Sequence, residues 1–252
     1  MNKLFSRQRG KGRPIIFLHG FPMHQAIWDD FGEKFSATNT VISVDLPGFG
    51  KSPLLATGFS LDDVAAQVLE FVLAHKLSGS VLVGHSLGGY VSLAMVHKMP
   101  ELFSGLVLFH STAYADNAER KASRDKVIEF VEKNGAIPFT TNFIAPLFAD
   151  SQHADVERVK QIAATTSPDT VIGYSQAMRD RQDHVKTLIS FEKPTLFLAG
   201  DKDPGISTGS VYEQAKDCQN AEIHILKNVA HMGMFENSGD AASRIKDFLK
   251  KT

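Results

Sequence analysis

Short apolar runs alternate with helical stretches along most of the chain, and this alternation constrains the fold most. Because these runs are continuously apolar, they predict strands that are covered on both faces. Strands that alternate with helices predict an α/β fold: a mostly parallel, twisted sheet with helices on both faces. The predicted strands are 15–18, 41–44, 81–83, 106–109, 195–199 and 223–226.

Helical patterns fill the intervals between several of these runs. The predicted core helices are 61–75, 87–98, 210–216 and 239–250. At the amino terminus, residues 4–7 predict an antiparallel edge strand, which the Gly10-Lys11-Gly12 turn joins to the first core strand.

One long stretch between core strands contains no good strand. Polar helical segments occupy it instead, at 117–133, 154–165 and 168–181. The charged residues at 119–133 predict a helix face in contact with solvent. We therefore expect a core made of residues 1–112 and 187–252, with residues 113–186 inserted as a helical cap, or lid.

Composition and charge narrow the class of partner. Of 252 residues, 43% are hydrophobic and 22% are charged, as in ordinary globular proteins. Lysine and arginine total 27 against 28 aspartates and glutamates, a net charge of -1, which disfavours nucleic acid as a partner. A small molecule is the partner expected instead. The oligomeric state is not predicted.

The sequence also predicts a location. No apolar run approaches the ~20 residues needed to span a bilayer, so no membrane association is expected. The amino terminus lacks the pattern of a signal peptide. A single cysteine, Cys218, cannot form an internal disulfide and is compatible with a reducing compartment. We predict a cytoplasmic protein.

The segment Gly84-His85-Ser86-Leu87-Gly88 follows a predicted strand and opens a predicted helix. A serine between two glycines in that context predicts a sharp, strained turn that exposes its hydroxyl above the sheet edge. Gly84 and Gly88 leave room where side chains would collide. The helix amino terminus favours negative charge that develops near Ser86. Ser86 is the candidate nucleophile.

A second strand ends in His19-Gly20-Phe21-Pro22. Acyl transfer needs two N–H donors directed at one oxygen. We expect one from Leu87, directly after the candidate nucleophile, and the other from Phe21, because Pro22 has no N–H. His19 is interpreted as a structural residue that ties this loop by hydrogen bonding.

A base and an acid follow two later strands. The order Ser86, Asp203, His231 is the chain order of serine hydrolases whose nucleophile lies in this strand–turn–helix motif, the nucleophile elbow. Loops at the carboxyl ends of parallel strands meet at one sheet edge, where these side chains can converge. Asp201 in the same turn, and more remotely Asp116, are alternative acids. The imidazole would activate the hydroxyl and the carboxylate would orient the imidazole.

These motifs together resemble the α/β-hydrolase superfamily, in its serine-nucleophile, capped esterase- or lactonase-like branch. The matching segments are 18–22, 45–52, 84–89, 200–203 and 230–231, with Trp28. The resemblance implies an eight-stranded, mostly parallel sheet with a helical cap after the sixth strand. Because the amino-terminal strands are abbreviated, we expect the first strand to be missing. Ser86 differs from the aspartate that dehalogenases and epoxide hydrolases of the superfamily use.

No cofactor or metal is predicted. Gly48-Phe49-Gly50-Lys51-Ser52 resembles the end of a phosphate-binding loop, but Asp45 stands where that loop needs glycine. No dinucleotide fingerprint follows a strand. No His-Glu-x-x-His or Cys-x-x-Cys motif is present, so we expect no metal ligands.

The remaining apolar residues suggest either packing or a substrate pocket. The proposed pocket residues are Phe139, Phe143 and Phe148 from the cap, with Met23 and Met232 beside the site loops. The expected activity is hydrolysis of a small, largely apolar ester, lactone or thioester through an acyl-enzyme. The alternatives are a C–C bond hydrolase or lyase with the same triad, and a non-catalytic receptor or scaffold.

Overall fold

The computed structural model describes residues 4–252, in which seven strands form one sheet of order β1-β3-β2-β4-β5-β6-β7. The strands are β1 (Ser6–Arg9), β2 (Arg13–Leu18), β3 (Asn39–Val44), β4 (Ser80–His85), β5 (Phe103–Phe109), β6 (Thr195–Gly200) and β7 (Ala221–Leu226). All neighbours pair in parallel except β1 and β3. The predicted α/β architecture is therefore confirmed.

The sheet edge agrees with the expectation in one way and differs in another. Within residues 4–252 the sheet has seven strands, as expected for the eight-stranded family sheet without its first strand. The antiparallel edge strand covers Ser6–Arg9 rather than residues 4–7. Gly10 and Gly12 at positive φ (73° and 124°) form the turn, so the residues immediately before it pair with β3.

Helices cover both faces of the sheet. They are α1 (Asp29–Glu33), α2 (Leu61–Ala74), α3 (Leu87–Lys98), α4 (Ala118–Asn134), α5 (Ala136–Ile144), α6 (Val156–Ala163), α7 (Pro168–Arg179), α8 (Val185–Ser190), α9 (Thr208–Ala215), α10 (Gly233–Glu236) and α11 (Ser238–Leu249). None of these helices is both long and apolar enough to cross a membrane.

Successive strand residues enter different apolar layers. In β2, Ile16 and Leu18 join the layer that includes residues of α2 and α3. Ile15 and Phe17 join the opposite layer, which includes residues of α1 and α11. Burial on both faces explains why this strand reads as a continuous apolar run.

Helices α4 to α8 lie between β5 and β6. The hydroxyl of Tyr174 in α7 donates to the carbonyl of Pro47 at 2.9 Å, and Thr166 donates to the carbonyl of Pro22 at 2.7 Å. The inserted segment is thus tied to the loops that follow β2 and β3. Its division from the core at residues 113–186 stays a prediction.

Four helices, α1, α5, α8 and α10, were not predicted from the sequence. α5 has the sequence AIPFTTNFI, in which a proline and two threonines lower helix propensity. Tertiary packing decides its conformation, since Thr140 and Ile144 are buried. α8 crosses the predicted boundary at residue 186.

Candidate active site

Ser86 occupies a strained turn between β4 and α3. Its backbone has φ 50° and ψ -113°, and its N–H donates to the carbonyl of Phe109 at 3.0 Å. A Cβ on Gly84 would lie 2.5 Å from the Gly88 carbonyl oxygen, and one on Gly88 would lie 2.3 Å from that of Leu18. Glycine is therefore required on both sides of Ser86 for close backbone approach.

His231 and Asp203 meet at the same sheet edge. His231 Nδ1 lies 2.8 Å from Asp203 Oδ2. The other carboxylate oxygen accepts from the N–H groups of Gly205 at 2.8 Å and Ile206 at 3.0 Å. Burial opposes ionisation of Asp203, but the charge of His231 and the hydrogen bonds from His110 and His231 outweigh it. They hold the pKa of Asp203 well below its usual range.

The two alternative acids have other partners. Asp201 accepts from the N–H of Asn228 at 2.8 Å. Asp116 is buried against two guanidinium groups, with Arg181 at 2.7 Å and Arg124 at 3.1 Å. Of the three carboxylates considered, Asp203 is the one in contact with His231.

His110 is a second histidine on the same carboxylate, and sequence reasoning missed it. Its Nδ1 also lies 2.8 Å from Asp203 Oδ2, and its Nε2 accepts from the N–H of Gly233 at 3.3 Å. Burial lowers the pKa of His110, although Asp203 opposes the shift. Because Nε2 is an acceptor, the neutral ring carries its proton on Nδ1 and donates to Asp203. Its place directly after β5 was the available signal.

His110, Asp203 and His231 could also be considered as metal ligands, since their ligand atoms lie within 4.8 Å of one another. Both Nδ1–Oδ2 distances are 2.8 Å, the length of a hydrogen bond to a carboxylate. A metal would have to displace both protons. The arrangement fits a hydrogen-bonded set better than a metal centre.

His85 holds the backbone of His231 through a hydrogen bond. Its Nε2 donates to the His231 carbonyl at 2.9 Å, while its Nδ1 is buried with no partner among residues 4–252. Burial holds the pKa of His85 well below its ordinary value. The N–H of His231 in turn donates to the carbonyl of Leu147 at 2.9 Å. Two elements thus hold His231 in place.

Ser86 and His231 line one cavity of about 390 Å³. Its apolar walls include the predicted pocket residues Phe139 and Phe143, together with the Phe21 side chain. Among the residues described, Ser86 Oγ forms no hydrogen bond, so the hydroxyl is free toward this space. A hydrogen bond between a nucleophile and its base often forms only once the substrate is bound.

Three predicted pocket residues do not line this cavity. Met23 and Met232 are fully buried in the apolar layer beneath the loops. Phe148 is buried too and stacks on His153, with 5.2 Å between ring centroids. Their assignment to the pocket is therefore corrected to core packing. The expected solvent-facing role of 119–133 is also too simple, because Arg120 and Arg124 line the cavity.

The two predicted oxyanion donors remain available. Leu87 is the first residue of α3, so its N–H has no acceptor within the helix. The N–H of Phe21 likewise forms no backbone hydrogen bond within residues 4–252. Phe21 is held by aromatic contacts with Phe139 and Phe143, each at 6.0 Å between centroids.

His19 and Asp45 organise the neighbouring loops. His19 Nε2 accepts from the N–H of Leu46 at 3.0 Å, in agreement with the structural role expected for it. Asp45 accepts from the N–H of Lys51 at 2.9 Å. The segment 48–52, which resembles the end of a phosphate-binding loop, therefore surrounds the Asp45 carboxylate. A Cβ on Gly50 would lie 2.2 Å from that carboxylate.

These buried histidines predict that the protein is less stable in acid. Burial lowers the pKa of His19 from 6.5 to about 3, and that of His85 and His110 in the same direction. Below pH ~6.5 the unfolded chain binds more protons than the folded one, so the free energy of unfolding falls as pH falls. We expect His19 to contribute a loss of about 2 kcal/mol between pH 7 and pH 5, and His85 and His110 to lower the stability in the same direction. Urea unfolding at both values measures it, and equal or greater stability at pH 5 would contradict the assignment.

Comparison with known proteins gives the class. A sequence profile described as the alpha/beta hydrolase fold matches residues 13–238. The chain is 32% identical over 255 residues to 2-succinyl-6-hydroxy-2,4-cyclohexadiene-1-carboxylate synthase of Escherichia coli, covering 96% of this chain and 98% of the relative. It is 25% identical to (E)-2-((N-methylformamido)methylene)succinate hydrolase of Acinetobacter baylyi, covering 89% and 86% of the two chains.

Solved structures agree with this. A thermophilic esterase from Thermogutta terrifontis, described with malate bound, superimposes with a TM-score of 0.92 at 26% identity, covering 98% of this chain and 93% of that one. The chain belongs to the α/β-hydrolase fold family. The family and these relatives support hydrolase activity for it.

Proposed function

We propose that the chain is a serine hydrolase that cleaves a small carboxylic ester, lactone or thioester through an acyl-enzyme. One observation supports this most: His231, joined to Asp203 at 2.8 Å, lines the same cavity as Ser86. The cavity volume of about 390 Å³ suits a small molecule, and its aromatic wall suits an apolar acyl chain.

The proposed reaction uses each group in turn. His231 Nε2 removes the proton from Ser86 Oγ as the oxygen attacks the substrate carbonyl. The N–H groups of Phe21 and Leu87 hold the oxyanion. The leaving group takes the proton from His231, and water then repeats the sequence on the acyl-enzyme and releases the acid. Asp203 stabilises the imidazolium form of His231 throughout.

A different reaction on the same residues is the second candidate. The relative at 32% identity is named a synthase rather than a hydrolase. In such a reaction Ser86 and His231 would relay a proton in C–C bond cleavage or elimination, and no acyl-enzyme would form. A non-catalytic receptor or scaffold would turn over no ester at all.

Methanol and water compete for an acyl-enzyme, so the division of the acyl group between them separates these possibilities. Phenyl butyrate and 4-nitrophenyl butyrate are hydrolysed in the presence of methanol, and the ratio of methyl butyrate to butyrate is measured. The acyl-enzyme proposal predicts the same ratio from both esters, because both give the same intermediate. Ratios that follow the leaving group, or an absence of turnover, would contradict it.

The location of the protein stays a prediction, with which its single cysteine is compatible. Cys218 is free and half-buried, and burial raises the pKa of its thiol. A cytoplasmic location, with a small molecule as the partner, is what we propose.

A further inference from the structure

Two arginines of α4 lie on the wall of the Ser86 cavity. Arg120 and Arg124 both line it, and both are half-buried. Residues four positions apart share one face of a helix, so the two guanidinium groups belong to the same side of α4. Val127, Phe139 and the other apolar residues form the rest of this wall.

Arg124 is held by one end of its guanidinium group. Its Nε donates to Asp116 Oδ2 at 3.1 Å, and its side chain is 21% exposed. Within the part of the chain that the structure describes, neither terminal nitrogen of Arg124 makes a hydrogen bond. The group is therefore oriented by Asp116 and keeps its terminal donors for a ligand.

Asp116 does not neutralise Arg124 by itself, because it also serves a second arginine. Arg181 Nη1 lies 2.7 Å from Asp116 Oδ1, and the Arg181 side chain is only 4% exposed. Arg181 also donates to the carbonyls of Met178 and Tyr114 and lies 4.1 Å above the Tyr90 ring. One buried carboxylate thus faces two guanidinium groups.

Arg120 adds a further positive charge. It donates to the carbonyl of Gly205, a neutral acceptor, and makes no ion pair within 4.0 Å among residues 4–252. The nearby carboxylate of Asp203 is enclosed by His110 and His231. Asp183 lines a separate depression beside Arg120. Among the residues described, Arg120 and Arg124 line the Ser86 cavity and no aspartate or glutamate does, so the charge at this wall is positive.

We propose that the substrate of this hydrolase carries a carboxylate, which Arg124 binds with Arg120 beside it while Ser86 attacks an ester or lactone carbonyl at the other end. A carboxylate matches the paired donors of a guanidinium group, and such bonds are stronger than neutral ones. The aromatic wall of Phe139 and Phe143 accommodates the carbon chain between the two groups. This proposal rests on the proposed function.

Matched pairs of substrates test the proposal. Mono(4-nitrophenyl) esters of adipic, pimelic and suberic acids are compared with their methyl esters, which have the same chain but no charge. The readout is carboxylate selectivity, the ratio of kcat/KM for the acid to that for its methyl ester. We expect the wild-type protein to favour at least one acid by about tenfold or more. Using a ratio cancels any general loss of active protein.

Variants assign the selectivity to residues. Arg124→Gln should lower the selectivity by about tenfold or more, to a ratio near one. Arg124→Lys should restore only part of it, because an ammonium group lacks the fork geometry. Lys126→Gln removes the same charge from an exposed position of α4 and should leave the selectivity unchanged. Equal rates for acids and methyl esters, or equal effects of Arg124→Gln and Lys126→Gln, would overturn the proposal.

A binding measurement keeps this proposal separate from the proposed function. Ser86→Ala protein is titrated calorimetrically with adipate, pimelate and suberate, and with their dimethyl esters. Binding of a dianion but not of its dimethyl ester, lost in Ser86→Ala/Arg124→Gln, supports the carboxylate site even if no ester is turned over. Ester turnover without selectivity for the acids, together with no binding of any dianion, would leave the hydrolase and remove the carboxylate site.

Discussion

Replacing Ser86 with alanine is expected to lower kcat/KM for 4-nitrophenyl butyrate by about 10⁴-fold or more. The reason is that no other hydroxyl in the elbow can take its place: Ser86 alone stands at the strained turn, with its oxygen free toward the cavity. Binding and the oxyanion donors remain, so a small residual rate over water is expected.

The control is Ser190→Ala, which removes an exposed hydroxyl at the end of α8, away from the cavity. Its rate should match that of the wild-type protein. Circular dichroism and urea unfolding show whether each variant is folded. A folded Ser86→Ala protein that keeps a tenth or more of the activity would exclude Ser86 as the nucleophile.

The second large effect is expected at the acid. Asp203→Asn should lower kcat by about 10³- to 10⁴-fold, on the precedent of triad acids. Asp203 Oδ2 accepts hydrogen bonds from His110 and His231, and Oδ1 accepts from the N–H groups of Gly205 and Ile206. An amide has only one accepting oxygen, so its NH₂ group would face donors on one side. His231 would then no longer be held in the orientation, and with the proton on Nδ1, that leave its Nε2 free to act as the base.

Asp201→Asn is the matched control for this prediction. It makes the same chemical change two residues earlier, on a carboxylate bonded to the N–H of Asn228 rather than to an imidazole. We expect kcat within about threefold of wild type, because exposed ion pairs such as Asp201 with Lys227 at 3.7 Å contribute little. A larger loss in Asp201→Asn than in Asp203→Asn would show that the acid is misassigned.

The fold was predictable because its signal is distributed along the chain. Each strand had to be apolar throughout to be covered on both faces, and each predicted core helix fell within a few residues of its observed bounds. Asp203 and His231 follow the parallel neighbours β6 and β7, and parallel strands end at the same sheet edge, so the two side chains were expected to meet there. The same logic, applied to the end of β5, would also have found His110.

Side-chain direction was harder to predict than position. Met23 and Met232 stand beside the site loops in sequence, yet both side chains turn into the apolar layer below. A loop residue can point to either side of its backbone, and only the packing of the whole structure decides between them. Phe139 and Phe143 reach the cavity because α5 lies over it, and α5 itself has a weak helical signal.

The arginines of α4 show a related limit. A helix with many charges resembles a solvent-exposed helix in sequence, whichever face it presents. Pairing of Asp116 with Arg181, which is 65 positions away in the sequence, is what leaves Arg124 with free donors. No local pattern contains that information.

The central claim is that Ser86, activated by His231, forms a covalent intermediate. Its most direct test is to treat the protein with diethyl 4-nitrophenyl phosphate, which phosphorylates activated serines, and to locate the adduct by peptide mass spectrometry. The account predicts one diethylphosphoryl group on Ser86, with labelling slowed at least 100-fold in His231→Gln. Labelling at another residue, or equal labelling of Ser86 without His231, would contradict it.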